Sequence, residues 1–463
     1  MQDLNNHAPK FKTFQLNNFR QIPQLDRLSA EEKFAIEVVG QVLPFRSNNY
    51  VVDKLIDWDN VPDDPIFILN FPQKEMLKAH HFQEMATLLR GKAEQSVIRE
   101  AANRIRWQLN PHPAGQLADN VPTLAGHKLT GIQHKYRETL LFFPSQGQTC
   151  HAYCTFCFRW PQFVGIEELK LAMRETELLG AYVQQHPEVT DVLFTGGDPM
   201  VMKAKVLAAY IEPLLERNLA HLRTIRIGTK ALSYWPYRFL TDRDAADILA
   251  LFERVGRAGK HLAIMAHFNH PNELRTTAVV EAIKRIRETG AQIRTQSPLL
   301  RHINDRPEAW AKMWRRQVEL GLIPYYMFLV RDTGAHHYFS VPLVQAWQIF
   351  RNAYQRVSGL CRTVRGPSMS AQPGKVQVLG VSRVYGEKVI NLRFIQGRNP
   401  DWVQRPFFAQ YDEAAIWLDE LKPAFGQQKF FFEEAQEDQA YPAQRNGKHS
   451  AVSRPSIFDP AGF

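Results

Sequence analysis

From about residue 139 onward, the chain alternates short apolar runs with longer amphipathic segments. The short runs are rich in β-branched and aromatic residues, which is typical of strands. The longer segments place apolar residues three and four positions apart, which is typical of helices. Six strand–helix units in series predict a parallel sheet whose right-handed crossovers curl it into a full or partial barrel. The predicted strands span residues 139–144, 191–197, 224–229, 261–268, 291–296 and 324–330.

The two ends of the chain follow other patterns. Residues 20–110 have mostly helical spacing, and Ser29 with Glu32 forms a capping-box pattern at the start of one helix. Toward the C-terminus we predict a strand pair at 386–396, a short helix at 412–425 and a mobile tail at 437–455. The chain is expected to divide into a mainly helical region 1–130, a barrel 131–360 and a C-terminal region 361–463.

Composition narrows the class of protein. The chain has 463 residues, of which 44% are hydrophobic and 22% charged, as in ordinary soluble globular proteins. We find no apolar run of about 18 residues and no signal-peptide pattern, so we expect a cytoplasmic protein without membrane contact. The net charge of +10 is dispersed along the chain. A nucleic-acid partner is therefore not expected.

Three of the four cysteines lie close together on a segment that follows the first predicted strand. Cys150, Cys154 and Cys157 are spaced C-x3-C-x2-C, so their thiolates can face one small soft centre. Zinc would require a fourth ligand, for which His151 adjoins the first cysteine too closely and Cys361 is distant in sequence. The alternative is an iron–sulfur cluster with one iron left open.

This cysteine motif after a first barrel strand resembles that of the radical S-adenosylmethionine superfamily. The resemblance implies a [4Fe–4S] cluster on the three cysteines and S-adenosylmethionine on the fourth iron, cleaved to a 5′-deoxyadenosyl radical. The segment "LFTGGDPM" is similar to the superfamily's glycine-rich segment, which binds the methionyl amino group. Gly196, Gly197 and Asp198 are then the candidate residues, since glycine permits close backbone approach.

A narrower resemblance covers roughly residues 30–380. The segments "NNYVVDKLIDWDNVPDDPI", "HKYRETLLFF", "AHFNHPNE", "TQSPLLRHIND" and "PYYMFLVRDTGAHHYF" resemble, in order, those of the lysine 2,3-aminomutase family. This resemblance implies an α/β fold, a partial (β/α)6 TIM-like barrel of the radical S-adenosylmethionine type with a helical N-terminal region and a C-terminal extension. It also implies pyridoxal phosphate and transfer of an α-amino group to the β-carbon.

The same resemblance implies several site residues. Lys375 matches the lysine that holds pyridoxal phosphate as a Schiff base, although the family's full glycine run is missing. Lys135 and Lys230 match basic positions around the cofactor phosphate, and Tyr136 would lie beside the cofactors. Arg159 matches an arginine that binds the substrate α-carboxylate, for which a guanidinium fork is suited.

Three polar residues at predicted strand ends remain open to two interpretations. His267, Asn269 and Gln296 could contact S-adenosylmethionine or substrate. They could equally be buried polar groups whose hydrogen bonds are satisfied inside the barrel.

The chain departs from lysine-specific members at two positions. Where those members place aspartates around the substrate's distal ammonium, this chain has Arg331, followed by Asp332, and Ser368. An arginine would repel a lysine ammonium and attract a carboxylate. We therefore expect a 2,3-aminomutase for a free amino acid other than lysine, such as glutamate or aspartate. A shift of one residue in the alignment would restore Asp332 and a cationic substrate.

Other functions remain open from the sequence. The chain could be a lysine 2,3-aminomutase acting on free lysine or on a lysine of a partner protein, or a radical enzyme of this family without pyridoxal phosphate. From a different class, a metal-binding regulatory or nucleic-acid protein is suggested only by cysteines and charge. For the enzyme, we expect an electron donor of the flavodoxin or ferredoxin type and a homo-oligomer.

Overall fold

A computed structural model of the chain describes residues 9–110, 120–165, 171–216 and 219–433. The predicted tail at 437–455 lies outside the described residues. The N-terminal region is helical as predicted, and Ser29 and Glu32 form the expected capping box. Its helices are α1 (Ala30–Val42), α2 (Pro65–Asn70), α3 (Ala79–Arg90) and α4 (Gln95–Gln108), joined by 3-10 and π turns. The strands β1 (Thr13–Phe14) and β2 (Ser47–Asn48) form a small antiparallel pair.

The remaining described strands form a two-stranded hairpin and one large sheet. The hairpin consists of β3 (Thr123–Leu124) and β4 (His127–Lys128). The described strands from residue 132 onward all join in the large sheet, which has eleven strands. Its members are β5 (Ile132–Tyr136), β6 (Thr139–Phe142), β7 (Asp191–Phe194), β8 (Thr224–Thr229), β9 (His261–His267), β10 (Gln292–Leu299), β11 (Ile323–Leu329), β12 (Arg365–Ser370), β13 (Gly374–Val384), β14 (Glu387–Gly397) and β15 (Pro406–Gln410).

The strand order confirms the barrel prediction. Strands β6 to β11 are the six predicted strands, and they pair in parallel and in chain order. Strand β12 adds a further parallel neighbour, and β5 pairs antiparallel with β6. Since the order in the described residues runs from β5 to β15 without returning, the barrel is partial.

Helices cover the outer face of the parallel strands. Alternate strand residues such as Val192, Phe194, Ile225 and Ile227 are wholly buried in the main core. The residues between them, such as Leu193, are only half-buried and line the lumen. The helices are α5 (Thr176–Gln185), α6 (Ala204–Glu216), α7 (Ala231–Tyr234), α8 (Ala245–Arg257), α9 (Thr277–Glu288), α10 (Pro307–Glu319), α11 (His336–Phe339) and α12 (Leu343–Tyr354).

Two predictions for the C-terminal region are wrong. Residues 386–396 belong to the single strand β14, whose partner is β13, rather than to a strand pair. The helix predicted at 412–425 is reduced to a 3-10 turn at Leu418–Glu420. Backbone carbonyls of this segment bind distant segments instead of forming a helix: Ala415 O accepts from Leu343 N at 2.9 Å and Lys422 O from Gln410 N at 2.8 Å.

Strands β12 to β15, which follow the boundary predicted at residue 360, belong to the same sheet as β5 to β11. The division into domains stays a prediction. Among the described helices, none has the length and apolar character needed to cross a bilayer.

Candidate active site

The cysteine loop, residues 147–163, lies at the C-terminal end of β6. The N-terminal region binds this loop through backbone groups: Tyr153 N donates to Arg46 O at 2.8 Å and Thr155 N to Leu69 O at 3.0 Å. The side chain of Asn48 donates to the carbonyl of His151 at 3.2 Å. The helical region therefore packs on the barrel and shapes the loop that carries the cysteines.

The three thiols of this loop are free and lie close enough to influence one another. Burial raises the pKa of Cys154 to about 12 and also raises the pKa of Cys157, so a positive centre would be needed to hold them as thiolates. Within the described residues, no three His, Cys, Asp or Glu side chains converge on a point suited to a single metal ion. Three cysteine thiols on one loop are the donor type that binds an iron–sulfur cluster, so the residues present fit the cluster predicted from the sequence.

The two glycines after β7 pack against the cysteine loop. A Cβ at Gly197 would lie 2.4 Å from the carbonyl oxygen of Thr149, and one at Gly196 would lie 2.4 Å from Nε2 of Gln148. Gly196 also has φ +140, which side-chain-bearing residues rarely adopt. Close backbone approach is thus required here, and the group approached is the cysteine loop itself.

Asp198 has its carboxylate bound within the protein. Its oxygens accept from Thr229 Oγ1 at 2.7 and 2.9 Å, from Met200 N at 2.9 Å and from Lys230 N at 2.9 Å. Burial raises its pKa to about 6. These contacts join the loop after β7 to the end of β8. Binding of a cofactor ammonium by Asp198 stays a prediction.

Lys230 is also committed inside the barrel. Its Nζ lies 2.6 Å from Oε1 of the fully buried Glu273 and 2.8 Å from Oδ1 of Asn269. Asn269 in turn donates to Ser297 Oγ at 2.9 Å. The predicted roles of Lys230 at a phosphate and of Asn269 at a cofactor stay predictions. Asn269 fits the alternative of a buried group satisfied within the barrel.

His267 and Gln296 lie side by side at the ends of β9 and β10, where the parallel register pairs them. The ring of His267 is 5.9 Å from that of Phe156 in the cysteine loop. Burial lowers its pKa to about 3, so the imidazole is neutral near pH 7. Their contact with S-adenosylmethionine stays a prediction.

Lys375 lies on β13 with its amine against an aromatic wall. Its Nζ is 4.3 Å from the ring centre of Tyr326, 5.6 Å from that of Phe328 and 6.0 Å from that of Tyr136. Burial, and then the charges of nearby arginines, lowers the pKa of Lys375 to about 7. A lysine that loses its proton near neutral pH is suited to attack an aldehyde.

Other cations surround this amine. Burial, followed by the charges of Arg398, Arg331 and Lys375, lowers the pKa of Lys135 to about 7. Arg398, at the end of β14, donates to Gln372 O at 2.9 Å and Asn120 Oδ1 at 2.8 Å. Because like charges repel, this convergence favours an anion such as a phosphate. Arg398 was missed by sequence reasoning, which offered no signal that β14 reaches the site.

Arg159 belongs to the cysteine loop and Arg331 follows β11, and both guanidinium groups approach the ring of Phe158. Arg159 is 8% exposed, and its guanidinium lies 4.1 Å from the ring of Phe143 and 5.2 Å from that of Phe158. Arg331 lies 5.4 Å from the ring of Phe158. Arg159 Nη1 and Arg331 Nε are both buried without a hydrogen-bond partner. Burial lowers the pKa of Arg159 to about 9, so it remains charged at neutral pH.

The other two predicted substrate residues are Asp332 and Ser368. Asp332 Oδ1 lies 3.9 Å from Arg331 Nε, so the two side chains are neighbours. Ser368 is 0% exposed, and its Oγ donates to Met327 O at 3.4 Å. Contact of Ser368 with substrate stays a prediction.

Comparison with known protein sequences identifies relatives of this chain. No family model matches the chain. It is 30% identical over 396 residues to "Putative L-lysine 2,3-aminomutase" of Aquifex aeolicus, covering 86% of this chain and 92% of that protein. It is 28% identical to L-lysine 2,3-aminomutase of Haemophilus influenzae, covering 53% and 68% respectively. With that of Clostridium subterminale it shares 25% identity, covering 57% and 60%.

Solved structures resemble the chain only slightly. Streptococcus suis SuiB aligns with a TM-score of 0.36 at 13% identity, over 61% of this chain and 59% of that one. A radical SAM methyltransferase from Sphaerobacter thermophilus gives 0.34 at 13% identity, over 52% and 68%. These likenesses carry no argument here. The extended match to the Aquifex protein does, and it shows that the chain belongs to the lysine 2,3-aminomutase family of radical S-adenosylmethionine enzymes and is an isomerase.

Proposed function

We propose that this protein is a 2,3-aminomutase that moves the α-amino group of a free acidic amino acid, glutamate or aspartate, to the β-carbon. Cys150, Cys154 and Cys157 would hold a [4Fe–4S] cluster with S-adenosylmethionine, and Lys375 would hold pyridoxal phosphate. When bound, the first two supply a radical that abstracts hydrogen, and the third carries the migrating nitrogen.

The pair of arginines between the two cofactor sites carries this proposal. The charge of Arg159 acts on Cys157 on one side and on Arg331 on the other, and Arg331 acts on Lys135 beside Lys375. We therefore expect a molecule bound by both guanidinium groups to lie near both sites. Arg159 Nη1 and Arg331 Nε are buried without a hydrogen-bond partner, although the Asp332 carboxylate lies 3.9 Å from Arg331 Nε, and a guanidinium is suited to a carboxylate.

The protein's own groups would position the substrate. Arg159 would bind the α-carboxylate, and Arg331 the side-chain carboxylate, which fixes the Cα–Cβ bond between the two sites. Phe143 and Phe158 flank the guanidinium of Arg159. The cations Lys135 and Arg398 would neutralise a phosphate dianion. The expected electron donor is a flavodoxin or ferredoxin, and a homo-oligomer is still expected.

Product analysis tests the proposal. The protein is reconstituted anaerobically with iron, sulfide, pyridoxal phosphate and S-adenosylmethionine, reduced, and given glutamate, aspartate or lysine separately. We expect a β-amino acid from glutamate or aspartate and none from lysine. Exclusive turnover of lysine would overturn the acidic substrate.

Lysine is the second candidate substrate, because the matched relatives are named for it and because Asp332 lies 3.9 Å from Arg331 Nε. It could be free or part of a partner protein, and a peptide containing lysine extends the same assay. A purified protein that binds no pyridoxal phosphate and is unchanged by Lys375→Ala would instead indicate a radical enzyme without that cofactor.

A further inference from the structure

A tyrosine hydroxyl lies against one of the three clustered cysteines. Tyr234 ends α7, is 1% exposed, and has its Oη 3.7 Å from Cys154 Sγ. The two residues are far apart in the sequence, and the end of β8 brings them together. No family motif identified in the sequence includes this tyrosine.

The ring of Tyr234 is held by a fixed charge. Lys230 Nζ lies 4.3 Å from the ring centre and 2.6 Å from Glu273 Oε1. Glu273 also accepts from Ser233 Oγ at 2.7 Å. An ammonium over an aromatic face is attracted to the ring and draws electron density from it. The phenol O–H is thereby a stronger hydrogen-bond donor.

We propose that Tyr234 is a positioning residue for the iron–sulfur cluster, with its hydroxyl donating a hydrogen bond to the sulfur of Cys154. In the thiol form, the S–H of Cys154 is the donor toward Tyr234 Oη. When the sulfur bonds to iron, its proton is released to solvent, and the sulfur can then only accept. The phenol keeps its proton at neutral pH and becomes the donor.

This hydrogen bond sets how readily the cluster accepts an electron. Hydrogen bonds to the sulfurs of a cluster are among the factors that set its reduction potential, and a donor stabilises the more electron-rich reduced form. The Lys230–Glu273 pair thus belongs to the cluster rather than to a cofactor phosphate. The inference rests on the proposed function in one respect, which is the presence of the cluster.

The test compares Tyr234→Phe with Tyr50→Phe. Tyr50 is a matched control because it is 2% exposed and packs on the neighbouring Trp235, yet its hydroxyl binds Thr276 Oγ1 at 2.6 Å. After anaerobic reconstitution of the full chain, three quantities are measured for each variant. They are the iron and sulfide content, the midpoint potential of the cluster, and the rate of iron release to a chelator.

We expect Tyr234→Phe to lower the midpoint potential and to accelerate iron release, while Tyr50→Phe matches the wild type. If Tyr234→Phe alone loses the cluster while its melting temperature is unchanged, the result also supports the inference. A full cluster with potential and release rate equal to those of Tyr50→Phe overturns the inference alone. A wild-type protein that binds zinc, or no [4Fe–4S] cluster, overturns the proposed function instead.

Discussion

At the scale of single residues, burial decides which charged groups are available for chemistry. Lys375 and Lys230 are both lysines inside the barrel, but only Lys230 has a carboxylate partner, Glu273, at 2.6 Å. Lys375 has the amide oxygen of Gln396 at 3.1 Å and aromatic rings around it. An ammonium without a counter-charge in such surroundings gives up its proton more easily.

This difference predicts a pH dependence for covalent capture of pyridoxal phosphate. Since the pKa of Lys375 is lowered to about 7, the neutral amine predominates above pH 7 and falls to roughly a tenth at pH 6. Capture, fixed by borohydride at each pH, should therefore rise with an inflection near pH 7. Lys375→Ala should abolish it, whereas Lys388→Ala, at an exposed position, should not. An inflection near the ordinary lysine pKa would contradict the prediction.

The position of Arg331 leads to a prediction about the preference for an acidic substrate. Replacing it by Gln removes one buried charge from the proposed carboxylate site, which costs about 3 kcal/mol and lowers kcat/KM for the acidic substrate roughly a hundredfold. Arg383→Gln, at an exposed position, is the control. Kinetics on glutamate and aspartate check the result. Equal kcat/KM values for the wild type and Arg331→Gln would show that Arg331 does not bind the substrate.

At the scale of elements, the loops that follow the parallel strands depend on one another. The loop after β7 packs on the cysteine loop through Gly197, and Asp198 binds the end of β8. Asp198 N also donates to the carbonyls of Gly147 at 3.0 Å and Thr149 at 2.7 Å. Three strand ends are thus joined by short-range contacts, so a change in one loop displaces the others.

Gly197→Ala tests this dependence. Its Cβ would lie 2.4 to 2.5 Å from backbone atoms of Thr149, which cannot move without shifting the cysteine loop. We expect a loss of about 1 to 3 kcal/mol in the free energy of unfolding and reduced iron incorporation. The control is Gly256→Ala in α8, where nothing lies within 4 Å of the added Cβ. That change should leave iron incorporation intact and stabilise the helix by up to about 1 kcal/mol. Normal iron content in Gly197→Ala would contradict the prediction.

At the scale of the whole molecule, the N-terminal region completes the site. Asn48 lies between two loops of the barrel: its Nδ2 donates to His151 O at 3.2 Å and to Tyr234 O at 3.0 Å, and its Oδ1 accepts from Val51 N at 3.1 Å. A single buried amide thus joins the N-terminal region, the cysteine loop and α7. The region is part of the structure that shapes the site.

Asn48→Ala should therefore affect both stability and the cluster. It leaves buried carbonyls without donors, which costs about 2 to 3 kcal/mol. The neighbouring Asn49→Ala is the control, because Asn49 binds Lys12 N and Lys10 O in an exposed setting. Thermal unfolding and iron content of the reconstituted proteins give the comparison. Identical behaviour of the two variants would show that the contact has no structural role.

Some strands and helices were predicted correctly from the sequence, and others were not. The six parallel strands were predicted correctly because each has a local apolar pattern that a parallel sheet requires. The prediction of a helix at 412–425 was wrong because the backbone carbonyls of Ala415 and Lys422 bind distant segments, and the prediction for β14 was wrong because its partner β13 precedes it across a turn. Arg398 was missed because no local pattern indicates which distant strand end reaches a site.

By itself, the sequence determined the strand order and the three cysteines on one loop, since both depend on local spacing. It also identified Lys375, Lys135, Arg159 and Arg331 as candidates through resemblance. Only the tertiary structure shows the partners of the candidates: Arg159 Nη1 and Arg331 Nε are buried without a hydrogen-bond partner, although Asp332 lies 3.9 Å from Arg331 Nε, whereas Asp198 and Lys230 are bound by protein partners. The physical reason is that the burial and partners of an ionic group come from residues distant in the chain, which spacing cannot express.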